Sequence, residues 1–470
     1  MHPEISESVR FEITSDDNYD VAVIGGGPAG ATTACFLAQS GRRVVLIDKA
    51  QHPRFHIGES FLPHNLPILD RLGVRQAVAG IGVHKPGAEF VSPEHEDRQT
   101  FFFEESLAPV LPSSYQVRRA DFDEILFRRA EAVGVVLKEG CTVTQSRRLA
   151  QGWRLELDGD EVVSEISARY LVDASGRDGL IARAQDLRIR DSRHNSAALF
   201  AHYEGVSPDA WETQGNISIY WFEHGWIWMI PLPDGVTSIG AVCMPDYLKT
   251  RSDSLEEFME ETLRQCPKAW NVLKDATQIG DVSGAGNYSY KAKAAGGDGY
   301  LLVGDSYAFV DPVFSTGVLL AMSGAERAAR TVNDILDRPA RARAYQRRYQ
   351  REIDRAIKRV SWFVVRFNTP TLRYLFMTPQ NPFGVKNAVI SVLAGDFYRG
   401  GVLAWRLRLF RAIFAVSRIL NSGADKQLAD RLRHLPSVSM PENEHSGEPA
   451  ARSTARPTAR PAIEPAIEPG

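Results

Sequence analysis

The segment Gly25-x-Gly27-x-x-Gly30 lies directly between an unbroken apolar run, Val21-Ala22-Val23-Ile24, and a stretch with helical spacing, Ala31 to Ser40, stopped by Gly41. Few folds can use three glycines at that spacing and in that place. A continuous apolar run suits a strand buried on both faces. Gly25 permits the tight turn, Gly27 lets the backbone approach a pyrophosphate, and Gly30 lets the helix lie close to the sheet. The amides around Ala29 and Gly30 then point an anion-binding helix N-terminus at the ligand. A second apolar run, Val44 to Ile47, ends at Asp48, about 20 residues on, where a carboxylate can accept from ribose hydroxyls. Together these elements make one βαβ unit of a dinucleotide-binding domain.

Tyr300 to Val303 reads as a further buried strand leading into a glycine-containing turn. Residues 186–275 alternate like antiparallel strands, most clearly from Asn216 to Met229, and Gln116 to Val133 has helical periodicity. The expected class is therefore α/β: a Rossmann-type domain (19–185 and 276–335, with an insert near 60–115) interrupted by an antiparallel-sheet domain (186–275). A helical region follows at 336–435. Arg338 to Arg366 carries ten Lys/Arg against two acids. Residues 1–18 read as a loose leader. Residues 436–470, rich in Pro, Glu, Ala and Arg, have too little apolar surface to offset chain entropy.

A chain of 470 residues with 44% hydrophobic content can bury more than one core. Its net charge of −3 excludes whole-molecule steering toward nucleic acid. Cys35, Cys141, Cys243 and Cys266 stand far apart, with neither disulfide-framework nor zinc spacing. No metal site is expected, and a soluble cytoplasmic protein is.

Two later strand ends separate FAD from NAD, and a further stretch accompanies them. Leu171-Val172-Asp173-Ala174-Ser175-Gly176-Arg177 and Leu301-Leu302-Val303-Gly304-Asp305-Ser306 each end a strand in small residues, and Gln116 to Asp123 reads Q-V-R-R-A-D-F-D. They resemble fingerprints of the group-A FAD monooxygenase-like flavoproteins. In that family the Gly-Asp carboxylate, here Asp305 after Gly304, binds the ribityl chain, and the arginine, here Arg119, lies near the cofactor. Read without the family, Arg119 and Asp123 are an i, i+4 ion pair on a helix surface. Ser306 stands where alanine is more usual.

Three further features resemble the flavin-dependent halogenase family, of the phenol- and pyrrole-directed type. Gly225-Trp226-Ile227-Trp228-Met229-Ile230-Pro231 is similar to its W-x-W-x-I-P motif, and strand alternation puts both indoles on one face. In the family these residues (Trp226, Trp228, Ile230, Pro231) screen the flavin from the organic substrate. Phe309 to Gly317 resembles F-x-x-P-x-x-S-x-G, whose loop after Pro312 holds halide at backbone amides, here those of Thr316 and Gly317. His84-Lys85-Pro86-Gly87-Ala88-Glu89-Phe90 resembles K-x-G-A-x-F, after Pro53 to Pro63, another family-like stretch. There the lysine, Lys85, holds hypohalous acid or forms a haloamine beside the substrate, a task suited to an amine whose pKa falls on desolvation.

The resemblance implies FAD, supplied reduced as FADH2 by a separate flavin reductase, with O2 and chloride or bromide as co-substrates. It implies halogenation of an electron-rich aromatic in specialised metabolism such as antibiotic biosynthesis. No counterpart is found of the glutamate used by tryptophan halogenases, which favours a phenol or pyrrole. The ring is free or carried on an acyl or peptidyl carrier protein, for which the basic helices offer a surface. Open beside this reading are an FAD-dependent aromatic monooxygenase, a prenyl-type reductase resting on membranes through the basic helices, and FAD as a structural or sensing group.

Overall fold

The computed structural model describes residues 18–159, 164–190, 196–251, 254–286, 289–420 and 423. The expected leader (apart from Asn18) and the 436–470 tail lie outside the described residues. The buried strand Asn18–Ile24 pairs in parallel with Val44–Asp48 on one side and Ser164–Asp173 on the other. Val136–Glu139 and Tyr300–Leu302 extend the parallel core outward. Thr142–Arg148, Trp153–Asp158 and the short Gly296–Gly297 add antiparallel edges, giving eight strands. Helix Pro28–Gln39 covers this sheet and meets helices Arg119–Ala132 and Gly317–Asp337. It ends at Ser40, with Gly41 at φ +82° as the residue that stops it.

A second, seven-stranded sheet runs in the order Thr277–Ala285, Ala197–Glu204, Val236–Cys243, Gly225–Pro231, Ile217–Phe222, Gly87–Val91, Gln99–Phe102. The antiparallel sheet expected over 186–275 thus takes three strands from outside that range. Gly87–Val91 joins in parallel with Ile217–Phe222, the one parallel pair in the sheet. A sequence window cannot show this, because alternation sets which face a residue takes and not which strand lies beside it. The same range also holds the helices Leu255–Arg264 and Pro267–Leu273.

Both faces of this sheet are apolar, and they serve different cores. Phe90, Ile219, Trp228 and Phe200 face the dinucleotide-binding body. Tyr220, Ile227, Met229 and Ala241 face Phe258, Met259 and Leu263 of the two helices. Gln116 and Val117 also depart from expectation: they belong to the strand Ser114–Val117, paired antiparallel with Gly82–Lys85, and the helix starts at Arg119. Between Gly317 and Leu420 the chain is mostly helical, with Ala342–Val364, Pro370–Met377, Val385–Leu393 and Gly401–Leu420 following Gly317–Asp337. Among the described residues no helix is long and apolar enough to cross a membrane. All four cysteines carry free thiols.

Candidate active site

The glycine turn is as crowded as its spacing requires. Gly25 sits at φ +101°, and a Cβ there would lie 2.3 Å from the Ala174 carbonyl oxygen. A Cβ on Gly30 would lie 1.7 Å from the Gly25 carbonyl oxygen, so the helix start rests on the turn itself. Gly27 has more room, its nearest neighbour being the Arg54 guanidinium at 3.5 Å. Asp48, buried, accepts from the Gly26 amide at 2.5 Å and the Arg54 guanidinium at 3.3 Å. Arg54 also lies 3.7 Å from Asp123. Arg119 donates twice to Asp123, at 2.9 Å each, and once to the Ile57 carbonyl at 2.8 Å. The i, i+4 pair therefore exists, but it is buried rather than on a helix surface. Burial opposes the Arg119 charge, and Asp123 beside it, with Asp305 and Glu59, outweighs that and raises its pKa.

Gly304 brings the third fingerprint to the first. At φ +63° it can take no side chain without strain, and a Cβ would lie 2.9 Å from the Ala29 methyl. Asp305 follows, and burial pushes its carboxyl up to about 6 against the pull of Arg177, Arg119 and Arg188. Ser306 has a structural reason. Its hydroxyl donates to Asp173 at 3.0 Å, and the same carboxylate accepts from the Ser175 hydroxyl and the Ile181 amide. The serine thus ties the two fingerprint strands together where alanine could not.

Trp226 and Trp228 lie on one face, their ring centroids 5.8 Å apart and both buried. The Trp228 indole spans Gly240, where a Cβ would lie 2.2 Å from the ring, and donates to the Ser238 hydroxyl at 3.2 Å. Phe367, from the C-terminal helical region, lies 6.1 Å from Trp226 and 5.3 Å from Phe314. It thereby joins the indole face to the loop before helix Gly317–Asp337. In that loop Asp311 accepts from the Val313 amide at 3.1 Å and the Ser196 hydroxyl at 3.3 Å, and burial pushes its carboxyl up to about 6. Pro312 opens a short 3-10 turn, Ser315 is left-handed at φ +55°, and Gly317 is the first helical residue. The Thr316 hydroxyl is buried with no protein partner, and the space beside Gly317 is open.

Lys85 is 1% exposed. Its ammonium donates to the Ser60 hydroxyl at 2.7 Å and the Phe61 carbonyl at 3.0 Å, and lies 5.5 Å from the Phe103 ring centre. Both acceptors are neutral, so no opposite charge offsets desolvation, and burial lowers its pKa to about 7. Strand register explains the position. Lys85 pairs with Ser114, and the Ser60–Gln116 bridge continues the same small sheet, so the lysine reaches diagonally over that strand to Ser60. On this shared face the Ser114 hydroxyl and the Gln116 amide oxygen are buried without partners. Two residues on, Gly87–Val91 enters the large sheet beside Ile217, at the Ile230–Pro231 end of the tryptophan strand.

Sequence reasoning passed over several residues here. Glu89, fully buried within the K-x-G-A-x-F segment, accepts from Arg98, the Glu212 and Thr213 amides, Asn216 and Ser218. It locks the lysine-bearing strand to the start of Ile217–Phe222. Glu59, also buried, meets His202 at 2.9 Å. Both carboxylates stood in quoted motifs, but apart from Arg98 their partners are more than a hundred residues away. Phe367 carried no sequence signal at all.

The residues fit a bound FAD: a glycine turn open at Gly27, amides at a helix start, a carboxylate at the end of the second strand, and Gly304 packed against Ala29 with Asp305 next in the chain. Fold and site together define an FAD-binding enzyme with a second, mostly antiparallel sheet beside its dinucleotide-binding body. A family profile described as tryptophan halogenase matches residues 94–374, and one described as an NAD(P)-binding Rossmann-like domain matches residues 23–68. The chain is 37% identical over 344 residues to a tryptophan 2-halogenase of Chondromyces crocatus, covering 70% of this chain and 65% of that one. It is 28% identical over 412 residues to a 1H-pyrrole-2-carbonyl-[peptidyl-carrier protein] chlorinase of Pseudomonas fluorescens, covering 82% and 91%. The structure of the myxobacterial chondrochloren halogenase CndH superposes with a TM-score of 0.70 at 29% identity, covering 87% of this chain and 91% of that one. The chain belongs to the tryptophan halogenase family of flavin-dependent halogenases.

Proposed function

We propose that this enzyme halogenates an electron-rich phenol or pyrrole, with Lys85 delivering the halogen. The observation that carries the reading is the buried Lys85 ammonium, held only by neutral acceptors at the edge of the tryptophan-bearing sheet. Bound FAD, reduced by a separate flavin reductase, supplies with O2 the oxidising equivalent that turns chloride or bromide into hypohalous acid. The amides of Gly27, Ala29 and Gly30 take the pyrophosphate, with Gly25 shaping the turn while its own amide donates to the Ile47 carbonyl. Asp48 takes the ribose, and Asp305 after Gly304 the ribityl chain, with Arg119 and Pro312 walling the site. The free Thr316 hydroxyl and the Gly317 amide, at the positive end of a 21-residue helix, suit a halide ion.

Trp226, Trp228, Ile230 and Pro231 keep the ring on the far side, so the oxidant that reaches it is hypohalous acid. At Lys85 the ring carbon attacks the halogen: the carbon–halogen bond forms and the halogen–oxygen bond breaks. The leaving oxygen takes a proton from the ammonium and departs as water, and the amine so formed accepts the proton lost from the ring. An amine titrating near neutrality can serve in both directions. The carrier-protein chlorinase among the relatives supports a carrier-tethered ring as one form of the substrate.

The test is incubation with FAD, a flavin reductase, NADH and chloride or bromide over phenols, pyrroles and loaded carriers, read by isotope pattern. Halogenated product is expected, and Lys85→Ala should abolish it while oxidation of reduced flavin by O2 continues. An oxygenated product formed equally well without halide would instead support a monooxygenase.

A further inference from the structure

We infer that the helix Gly401–Leu420, with the turn carrying Phe383, seats this protein on an anionic lipid surface. The helix is apolar on two opposite sides. Leu403, Leu407, Phe410 and Phe414 are buried, the last two against Trp362 at 5.9 Å and 5.4 Å. Helical spacing puts Val402, Trp405, Val416 and Ile419 on the other side. There Trp405 is 53% exposed and Ile419 74% exposed. Phe383 adds a ring that is 73% exposed and lies 6.4 Å from Trp405. Its backbone sits at φ +55°, a conformation that costs a non-glycine residue free energy, yet the ring faces outward. A continuous exposed apolar stripe of this kind marks an interaction surface.

Charge selects the partner. Residues 366–420 hold eight Lys/Arg and one acid, in a chain whose net charge is −3. The acid, Asp396, is paired with Arg399 at 2.5 Å. Arg373 and Lys386 are paired with Glu94 and Glu105 of the body. The helix itself contains Arg406, Arg408, Arg411 and Arg418 and no acid. Arg406 and Arg408 border the apolar stripe on its two sides. A second copy of this surface would bring like charges together. Residues 436–470 offer only Val438, Met440, Ile463 and Ile467 as large apolar side chains, too few to cover the stripe. Aromatic and aliphatic residues bordered by arginines are the composition of a helix lying in the plane of a bilayer interface.

The test is sedimentation of the full-length, FAD-loaded protein with vesicles of phosphatidylcholine, alone or with about 30 mol% phosphatidylglycerol. Partitioning should rise by about tenfold or more with the anionic lipid and fall again in high salt. Trp405→Glu and Ile419→Glu should each remove most of that gain, with flavin absorbance and melting temperature unchanged. Arg408→Glu, at an exposed position, serves as a further arm should either of those fold poorly. Equal binding to both vesicles, or none to either, would overturn the inference. So would a dimer dissociated by Trp405→Glu, binding that appears only when residues 424–470 are deleted, or saturable binding of an acidic carrier protein that the vesicles do not compete.

Discussion

Replacing Lys85 with methionine should end halogenation and at the same time make the protein harder to unfold near neutral pH. Burial takes the ammonium from 10.5 to about 7. That gap of about 3.5 units corresponds to about 5 kcal/mol, at about 1.36 kcal/mol per unit. The sign follows from proton counting. Between pH 7 and the ordinary lysine value the unfolded chain holds the proton and the folded chain does not, so stability rises with pH. Below about 7 the amine is charged in both states, and the whole penalty weighs on the fold. Methionine has similar length and no charge, but it strands the Phe61 carbonyl and loosens Ser60, costing about 1–3 kcal/mol. The variant should therefore gain about 2–4 kcal/mol at pH 6 to 7. The gain should shrink as pH rises and reverse between about pH 8 and 10, where the remaining penalty falls below the cost of the lost hydrogen bonds. Urea unfolding of both proteins without flavin, at a series of pH values, measures the difference directly. A difference independent of pH, or a methionine variant already weaker at pH 6, would refute the buried-amine argument.

Four other outcomes follow from the same geometry. Glu89→Ala strands the Asn216 side chain and the Glu212 and Thr213 amides and should cost about 3–5 kcal/mol in denaturant unfolding, since a buried charge network loses its centre. Gly30→Ala must force a Cβ into the Gly25 carbonyl and should abolish FAD retention on gel filtration. Protonation of Asp305 near pH 6 removes its anionic acceptor, so the FAD dissociation constant should rise as pH falls through that value, and Asp305→Asn should flatten the profile. Thr316→Val keeps the shape and deletes the orphan hydroxyl. If that hydroxyl holds halide, the KM for bromide should rise severalfold with little change in stability, and an unaltered KM would assign it no such role.

Much of this was open to reading in the chain alone, for reasons that differ by element. The βαβ turn is written locally, because glycine's lack of a Cβ matters within six residues and the adjoining strand must be apolar on both faces. Strand alternation likewise put Trp226 and Trp228 on one face before any partner was known. The second fingerprint was recognised as a motif. That Asp173 and Ser306 hydrogen-bond across it needed the folded chain, because they are 133 positions apart.

What no local pattern could specify was which surfaces meet. Gln116 looked helical by periodicity and lies in a strand, because the edge of Gly82–Lys85 needed its backbone hydrogen bonds answered. Gly87–Val91 sits beside Ile217–Phe222 because their apolar faces close one core, and that pairing, locked by Glu89, puts Lys85 out of reach of water. Phe367 arrives from helices that read only as basic. Sequence determined the turn, the facing of the indoles and the kind of nucleotide site. Burial, and with it the chemistry of one amine, was settled only when distant strands and helices closed over it and took away the solvent that would have kept it charged.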